Sequence, residues 1–405
     1  MSDAPHSLLP ADVHEPYIGL KPYTEAERDR FFGRERDAQL LINKLFSHPL
    51  TLLYAPSGVG KTSLLRALVI PELRAEEAQV VYFDKWNTPD PCDAVANAIA
   101  GSAVAPGAGQ LVDAARVALA RDDSTLVLVL DQFEEYLQRY AGDLGHLPAA
   151  LGALLRTPLD LRVVLSFREE FLASVDACLR GHVLALFAST YHLEHLDRER
   201  AREAIAAPAR RFGGVCEDEL VDRLLDDLAP GDPEKSAGRL FRGGIELPFL
   251  QLICRCLWDK ALAGGKPGLR MADYLALGER RGIIAAYLHD VTRHFGLFQS
   301  IDAAQILKAL APRNGVKIAY PLEALAAQAG TSEKRTERVL DVLRQHRIVR
   351  TRDAAGGVSY ELQHDAFIEI VRPWADQRFR RRNQCLGGLA GLALLAAVGL
   401  NLYTL

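Results

Sequence analysis

The chain has 405 residues, more than one typical domain, so we expect two or three domains. Its 49% hydrophobic and 25% charged residues are typical of a globular protein that buries a core. The net charge of −4 at pH 7 argues against general binding to nucleic acid. Six scattered cysteines without a CxxC pair predict neither a disulfide framework nor a zinc site.

The chain begins with two segments of different character. Residues 1–30 are proline-rich and irregular and lack the basic start and apolar run of a cleavable signal peptide, so we assign them as a leader. Residues 31–192 alternate short aliphatic runs with helical patterns, which predicts an α/β domain with a parallel sheet covered by helices. The predicted strands are Thr51–Tyr54, Val80–Phe83, Leu126–Leu130, Val163–Ser166 and Tyr191–Leu193.

The clearest motif follows the first predicted strand, where APSGVGKTS has the spacing of a Walker A loop between a strand and an amphipathic helix. Gly58 and Gly60 allow the backbone to curl, so that its N–H groups converge on phosphate oxygens. Lys61 is placed to reach the β- and γ-phosphates, and Thr62 to give its hydroxyl to Mg²⁺. The nucleotide-binding residues predicted in this loop are Ser57, Gly58, Val59, Gly60, Lys61, Thr62 and Ser63.

A second motif lies at the end of the predicted strand Leu126–Leu130, which is followed by Asp131. A buried strand that ends in a carboxylate predicts a Walker B site, in which Asp131 holds Mg²⁺ together with Thr62. Glu134 and Glu135 come next, and either carboxylate could orient or deprotonate the attacking water. Acidic residues in a first helical turn are also ordinary surface chemistry. We favour a catalytic role, and Glu134 over Glu135.

Arg168 follows the strand predicted at Val163–Ser166. Ligands of parallel α/β sheets lie at the carboxyl ends of the strands, so Arg168 is placed to face the γ-phosphate. A guanidinium there would neutralise charge in the transition state or sense the presence of the γ-phosphate. The alternative is an ordinary ion pair with Glu169 or Glu170.

The second half of the chain is mainly helical by its hydrophobic period. We place a helical domain at residues 193–295. Residues 296–378 begin with three helical stretches and end with two short strands around a Gly-Gly turn, which predicts a winged-helix domain.

The C-terminal end has a different composition. Arg380, Arg381 and Arg382 precede residues 384–405, which carry no charged side chain. About 20 apolar residues are enough to cross a hydrocarbon layer about 30 Å thick. We therefore predict a single transmembrane helix at 384–405, with the nucleotide-binding domain on the cytoplasmic side by the positive-inside rule. The alternatives are a buried terminal helix or a cut inside a longer chain.

Taken in order, the motifs resemble the STAND class of signalling ATPases, and most closely its bacterial novel STAND branch. The segments that carry the resemblance are PYIGLKPYTEAERDRFFGRERDAQLL, APSGVGKTS, LVLDQFEEYL, VVLSFREEFL, Leu247–Gln251 and Tyr360–Ala366. The resemblance covers about residues 16–376. It implies an ASCE/AAA+-like P-loop NTPase followed by a helical lid, which corresponds to residues 193–295, and a winged helix.

The resemblance also implies roles for single residues. It places Gly33 and Arg34 on the adenine side of the nucleotide, and Pro248 in the lid that closes over it. It places His364 against the β-phosphate of ADP, where it would lock the resting state. By itself, a histidine beside Asp365 is more often a capping or core residue. The implied cofactors are ATP or ADP with Mg²⁺.

The function implied by the resemblance is an ATP/ADP-dependent switch that hydrolyses ATP slowly, forms a homo-oligomer with ATP and signals at the membrane, as in bacterial defence or stress. One alternative is a winged-helix DNA-binding ATPase, whose basic segment TSEKRTERVLDVLRQHRIVRTR would contact phosphates. Interspersed acidic residues and a membrane-held terminus argue against nucleic acid as a partner. The other alternative is a membrane-anchored scaffold in which the nucleotide is structural.

Overall fold

The computed structural model describes residues 15–101, 109–121, 124–140, 142–229, 244–293, 295, 297–311, 318–354, 357–363, 367–368 and 370–379. It divides into two compact units, Met1–Arg280 and Arg281–Leu405.

A five-stranded parallel sheet forms the centre of the first unit. Its strands are β1 (Leu50–Ala55), β2 (Gln79–Phe83), β3 (Leu126–Leu130), β4 (Leu161–Arg168) and β5 (Thr190–His192), in the order β2-β3-β4-β1-β5. All five predicted strands are confirmed. Strand β4 continues to Arg168, beyond the predicted end at Ser166, because Phe167 is fully buried and pairs with Tyr54 of β1.

Helices cover both faces of this sheet. Along β3, Leu126, Leu128 and Leu130 belong to one hydrophobic cluster, while Val127 and Val129 belong to the cluster on the opposite face. Burial on both faces explains why this strand is a continuous apolar run and does not alternate with polar residues. The α-helices of this layer are α1 (Glu35–Ser47), α2 (Lys61–Ser63), α3 (Ile70–Ala75), α4 (Pro91–Ala100), α5 (Gln110–Leu119), α6 (Phe133–Arg139), α7 (Leu147–Arg156) and α8 (Leu172–Leu179).

Helices α2 and α3 are joined without a break by a π-helical stretch, Leu64–Val69. We call residues 61–75 the P-loop helix. Its apolar side chains pack on Val127 and Val129 of β3.

The described residues that follow β5 in the first unit are mainly helical. They contain α9 (Arg198–Arg211), α10 (Asp218–Leu228), α11 (Leu247–Ala263), α12 (Met271–Ala276) and a two-stranded parallel sheet of β6 (Val215–Cys216) and β7 (Gly268–Leu269). The described part of the leader packs against these helices and includes a 3-10 helix, Glu25–Arg30. Tyr17 and Tyr23 are both buried, and their hydroxyls donate to the carbonyl of Ile205 and to the side chain of Gln251. Residues 15–30 are therefore part of the packed unit.

In the second unit, helices precede an antiparallel sheet. The helices are α13 (Glu279–Arg293), which begins at the end of the first unit, α14 (Leu297–Leu310), α15 (Leu322–Ala329) and α16 (Glu333–Gln345). Strands β8 (Tyr320–Pro321), β9 (Val349–Ala354) and β10 (Gly357–Leu362) form the sheet in the order β8-β10-β9, and residues 370–379 are helical. The predicted pair of short strands is present as β9 and β10.

Two predictions concern residues that the structure does not describe. Within the described ranges, no helix combines the length and the apolar character that crossing a membrane requires. The transmembrane helix predicted at 384–405 lies outside those ranges, and so does His364.

Candidate nucleotide site

The phosphate-binding loop connects β1 to the P-loop helix. Gly58 and Gly60 have φ angles of 84° and 102°, in the left-handed region that only glycine adopts without strain. Val59 between them is fully buried, which anchors the loop to the core. The conformation predicted for an anion-binding loop is thus built into the backbone.

Lys61 lies across this loop. Its Nζ atom donates to the carbonyl oxygens of Ala55 at 3.0 Å and Pro56 at 3.3 Å. Burial lowers the pKa of Lys61, while the nearby carboxylates of Glu134 and Asp131 oppose that shift. The ammonium group therefore stands in a desolvated position beside both acidic side chains, where its interaction with a phosphate would be strong.

The two predicted metal ligands are in contact with each other. Thr62 Oγ1 donates to Oδ2 of Asp131 at 2.7 Å, and the Asp131 side chain is fully buried. Hydroxyl and carboxylate oxygens are the ligands that Mg²⁺ takes from proteins, usually together with waters and substrate phosphates. Thr62 at the start of the P-loop helix and Asp131 at the end of β3 therefore fit as ligands of Mg²⁺ with a bound nucleotide.

Asp131 receives further hydrogen bonds from groups that sequence reasoning missed. The hydroxyl of Tyr82, on β2, donates to Oδ2 at 2.9 Å, and the indole Nε1 of Trp86 donates to the backbone carbonyl of Asp131 at 2.7 Å. The backbone N–H of Gln132 donates to Oδ1 at 2.9 Å. A polar aromatic residue at the carboxyl end of the neighbouring strand was the available signal for Tyr82.

Glu134 and Arg168 form an ion pair in the site. Arg168 Nε lies 3.0 Å from Glu134 Oε1, and only 5% of the Glu134 side chain is exposed. Within the described part of the chain, Oε2 of Glu134 has no hydrogen-bond partner. Burial raises the pKa of Glu134, and the charges of Arg168 and Lys61 partly oppose the rise.

The other glutamates near this pair are placed differently. Glu135 follows Glu134 in α6 but is exposed. Of the two alternative partners considered for Arg168, Glu169 pairs with His192, 3.0 Å away, and Glu170 is one of the charges that oppose the lowering of the Lys61 pKa. Of the two candidate catalytic carboxylates, Glu134 is the one that the structure brings beside Lys61 and Arg168.

Arg34 is buried next to the phosphate-binding loop, immediately before α1. Its guanidinium donates to Asp37 at 2.7 Å, to the carbonyl of Val59 at 3.0 Å and to the carbonyl of Glu194 at 2.8 Å. Gly33 has a φ of 84°, and a Cβ there would come within 2.6 Å of the Arg200 carbonyl oxygen. This motif therefore joins the phosphate-binding loop to the segment that leads into α9.

Ser63 and the helix that carries Pro248 are both linked to Tyr23 of the leader. Ser63 Oγ accepts from the backbone N–H of Tyr23 at 3.2 Å, and the Tyr23 hydroxyl donates to Gln251 of α11. Pro248 is half-buried at the start of α11. Tyr23 thus connects the P-loop helix to the helix that carries Pro248. Ser57, the other serine predicted to bind nucleotide, lies in the phosphate-binding loop.

Comparison with known proteins gives a family for the sequence and only distant likeness for the structure. The sequence profile described as Novel STAND NTPase 1 matches residues 16–383. No curated protein sequence matches the chain.

Three solved structures illustrate the structural likeness. The Aeropyrum pernix ORC1 protein, solved in complex with DNA, is 16% identical with a TM-score of 0.47, over 91% of this chain and 95% of that one. The Aeropyrum pernix ORC2 protein in its ADP form is 16% identical with a TM-score of 0.45, over 90% and 97%. AMPPCP-bound DnaA from Aquifex aeolicus is 14% identical with a TM-score of 0.38, over 89% and 99%. At these scores the likeness carries no functional assignment.

Proposed function

The chain belongs to the Novel STAND NTPase 1 family, and on that premise we propose that it is an ATP/ADP-dependent molecular switch that hydrolyses ATP slowly. In this proposal, ADP holds a resting form, ATP favours a form that assembles into a homo-oligomer, and hydrolysis resets the switch. Nucleotide shifts such an equilibrium only through its different affinities for the two forms.

The ion pair between Arg168 and Glu134 carries this proposal. A general base must be free to accept a proton from water, yet the Glu134 carboxylate is held by a guanidinium in a buried position. The γ-phosphate of ATP is a stronger anionic partner for Arg168 than one carboxylate, because it carries more negative charge. Binding of ATP would then draw Arg168 away and release Glu134.

This arrangement couples the identity of the nucleotide to catalysis. ADP has no γ-phosphate, so the pair between Arg168 and Glu134 would re-form after hydrolysis. Lys61 and the backbone of the loop bind the remaining phosphates, and Thr62 with Asp131 would hold Mg²⁺, which supplies charge neutralisation on the phosphates when bound. Slow turnover is the part of the proposal that rests on the family resemblance alone.

The second unit and the tail complete the proposed switch. We propose that residues 296–378 form a winged helix, which the helices α14–α16 and the antiparallel strands β9 and β10 support. We also propose that residues 384–405 anchor the protein in a membrane, with the NTPase domain in the cytoplasm, as their uncharged composition suggests.

The structure weakens the alternative of a DNA-binding ATPase. Several basic side chains of the segment that would contact phosphates are already paired with carboxylates. Arg335 pairs with Asp302, Arg344 with Asp341, and Arg350 with Glu361. These pairs reduce the positive charge that the segment offers to a nucleic acid backbone.

The test of the switch compares Glu134→Gln with Glu135→Gln, since the two residues are adjacent and only Glu134 faces the site. ATP turnover should fall at least 100-fold (about 10²–10⁴-fold for loss of a general base) in Glu134→Gln, and little in Glu135→Gln. Glu134→Gln should retain ATP and accumulate as an oligomer in light scattering. A wild-type protein that never hydrolyses ATP would favour a scaffold with structural nucleotide. Slow turnover in Glu135→Gln alone would reverse the assignment of the base.

A further inference from the structure

Tyr82 lies beside the metal side of the nucleotide site, although it belongs to neither nucleotide motif. It stands opposite Val129 in the parallel pairing of β2 with β3. Asp131 comes two residues after Val129, and side chains two residues apart in an extended chain point to the same face. Tyr82 and Val129 both pack in the cluster that contains the P-loop helix. The register of the sheet therefore brings the Tyr82 hydroxyl to the Asp131 carboxylate.

The carboxylate of Asp131 is held by donors from three directions. Oδ2 accepts from Thr62 Oγ1 at 2.7 Å and from the Tyr82 hydroxyl at 2.9 Å, and Oδ1 accepts from the N–H of Gln132 at 2.9 Å. A fully buried carboxylate needs such donors because it has lost its hydration. Two donors on one oxygen, from a strand and from a helix, fix the rotation of the carboxylate group.

Tyr82 is itself well placed to act as a fixed donor. The guanidinium of Arg66, in the P-loop helix, lies over the Tyr82 ring at 5.4 Å from its centroid, a cation–π arrangement. A tyrosine hydroxyl is protonated at neutral pH, so Tyr82 can donate to the Asp131 carboxylate as the geometry shows. The ring is thus oriented from one side while its hydroxyl points to Asp131.

We propose that Tyr82 is a positioning residue for magnesium–nucleotide binding, because its hydroxyl holds the Asp131 carboxylate in the orientation that serves the metal. Thr62 has a second task in the site, since its oxygen would also be a metal ligand. The Tyr82 hydroxyl has no such task, and its hydrogen bond to Asp131 can persist whether or not the metal is bound. This inference rests on the proposed nucleotide site and adds a residue that reaches the metal only through Asp131.

The test is the magnesium dependence of nucleotide binding in the full chain carrying Tyr82→Phe. ADP affinity is measured by titration calorimetry in EDTA and over a series of Mg²⁺ concentrations. In EDTA, the variant and the wild type should agree within about twofold, because the phosphate-binding loop is unchanged. The Mg²⁺ concentration that gives half of the full change in ADP affinity should rise by up to about tenfold, equivalent to about 1.4 kcal/mol. The reason is that, without the Tyr82 hydroxyl, the Asp131 carboxylate is no longer held in the ligating orientation before the metal binds, so metal binding carries the cost of ordering it.

Tyr140→Phe is the matched control. This substitution also removes one tyrosine hydroxyl, but the Tyr140 hydroxyl donates to the carbonyl of Thr88 and not to Asp131. This control should leave the magnesium titration unchanged, whatever it does to the melting temperature.

The outcomes separate this inference from the proposed switch. A magnesium titration of Tyr82→Phe that equals the wild type would overturn the role of Tyr82, even if the variant melts at a lower temperature. An equal shift in Tyr140→Phe would also overturn it, since the effect would then be structural. A wild-type protein whose oligomeric state does not change with nucleotide would refute the switch. The binding titration would still test the role of Tyr82.

Discussion

Replacing Arg168 by methionine tests the ion pair on which the proposed switch depends. Arg168→Met removes the guanidinium but keeps an unbranched apolar side chain in place of the aliphatic part of arginine, so Glu134 remains buried without its ion-pair partner. Removing one partner of a buried pair costs about 3–5 kcal/mol. We expect a smaller loss of about 2–3 kcal/mol at pH 8, because 18% of the Arg168 side chain is exposed and Lys61 also attracts the carboxylate.

The loss should depend on pH in a defined direction. Burial already holds the pKa of Glu134 above its unfolded value, and without Arg168 the folded pKa rises further. Between the unfolded and folded pKa values, the folded state binds more protons than the unfolded state, so stability falls as pH rises through that window. The deficit of Arg168→Met relative to wild type should therefore be smaller at pH 5 than at pH 8, because the raised pKa favours the uncharged carboxyl as pH falls.

The assay is urea denaturation of wild type, Arg168→Met and the double variant Arg168→Met/Glu134→Gln at both pH values. The double variant should recover most of the loss at pH 8, because glutamine carries no charge that needs a partner. Arg168→Met/Glu135→Gln is the control and should recover none. An equal deficit at pH 5 and pH 8, or rescue by both double variants, would refute the pairing of Arg168 with Glu134.

Two further predictions concern residues outside the described ranges. His364→Ala should weaken the binding of ADP by about tenfold, equivalent to about 1.4 kcal/mol, and weaken the binding of ATP less. Equal losses of affinity for the two nucleotides in calorimetry would count against a resting-state lock. Deleting residues 384–405 should give a protein that still binds nucleotide but no longer sediments with membranes, whereas release of the full chain from membranes by carbonate would rule out a span.

The sequence alone determined the features that depend on local chemistry. The central strands β1, β3 and β4 could be predicted because apolar runs of strand length are buried on both faces of a parallel sheet. The phosphate-binding loop could be predicted because positive φ at Gly58 and Gly60 is available only to glycine without strain. The assignment of Asp131 followed from its place at the end of the buried strand β3.

The tertiary structure decided which of these groups meet. Arg168 was equally compatible with Glu169 or Glu170 by sequence distance, but folding pairs it with Glu134, because α6 and the end of β4 converge at the same edge of the sheet. The contact between Tyr82 and Asp131 depends on the register of β2 against β3, which no local pattern specifies.

The packing of the leader was also decided by the tertiary structure. Its proline-rich start predicted an irregular segment, yet Tyr17 and Tyr23 are buried against helices far away in the sequence. Burial of an aromatic ring is decided by the surface that the rest of the chain presents to it, and that surface exists only after folding. Local sequence therefore determined the elements and the loop chemistry, and long-range packing decided the partners of Arg168, Asp131 and Tyr23.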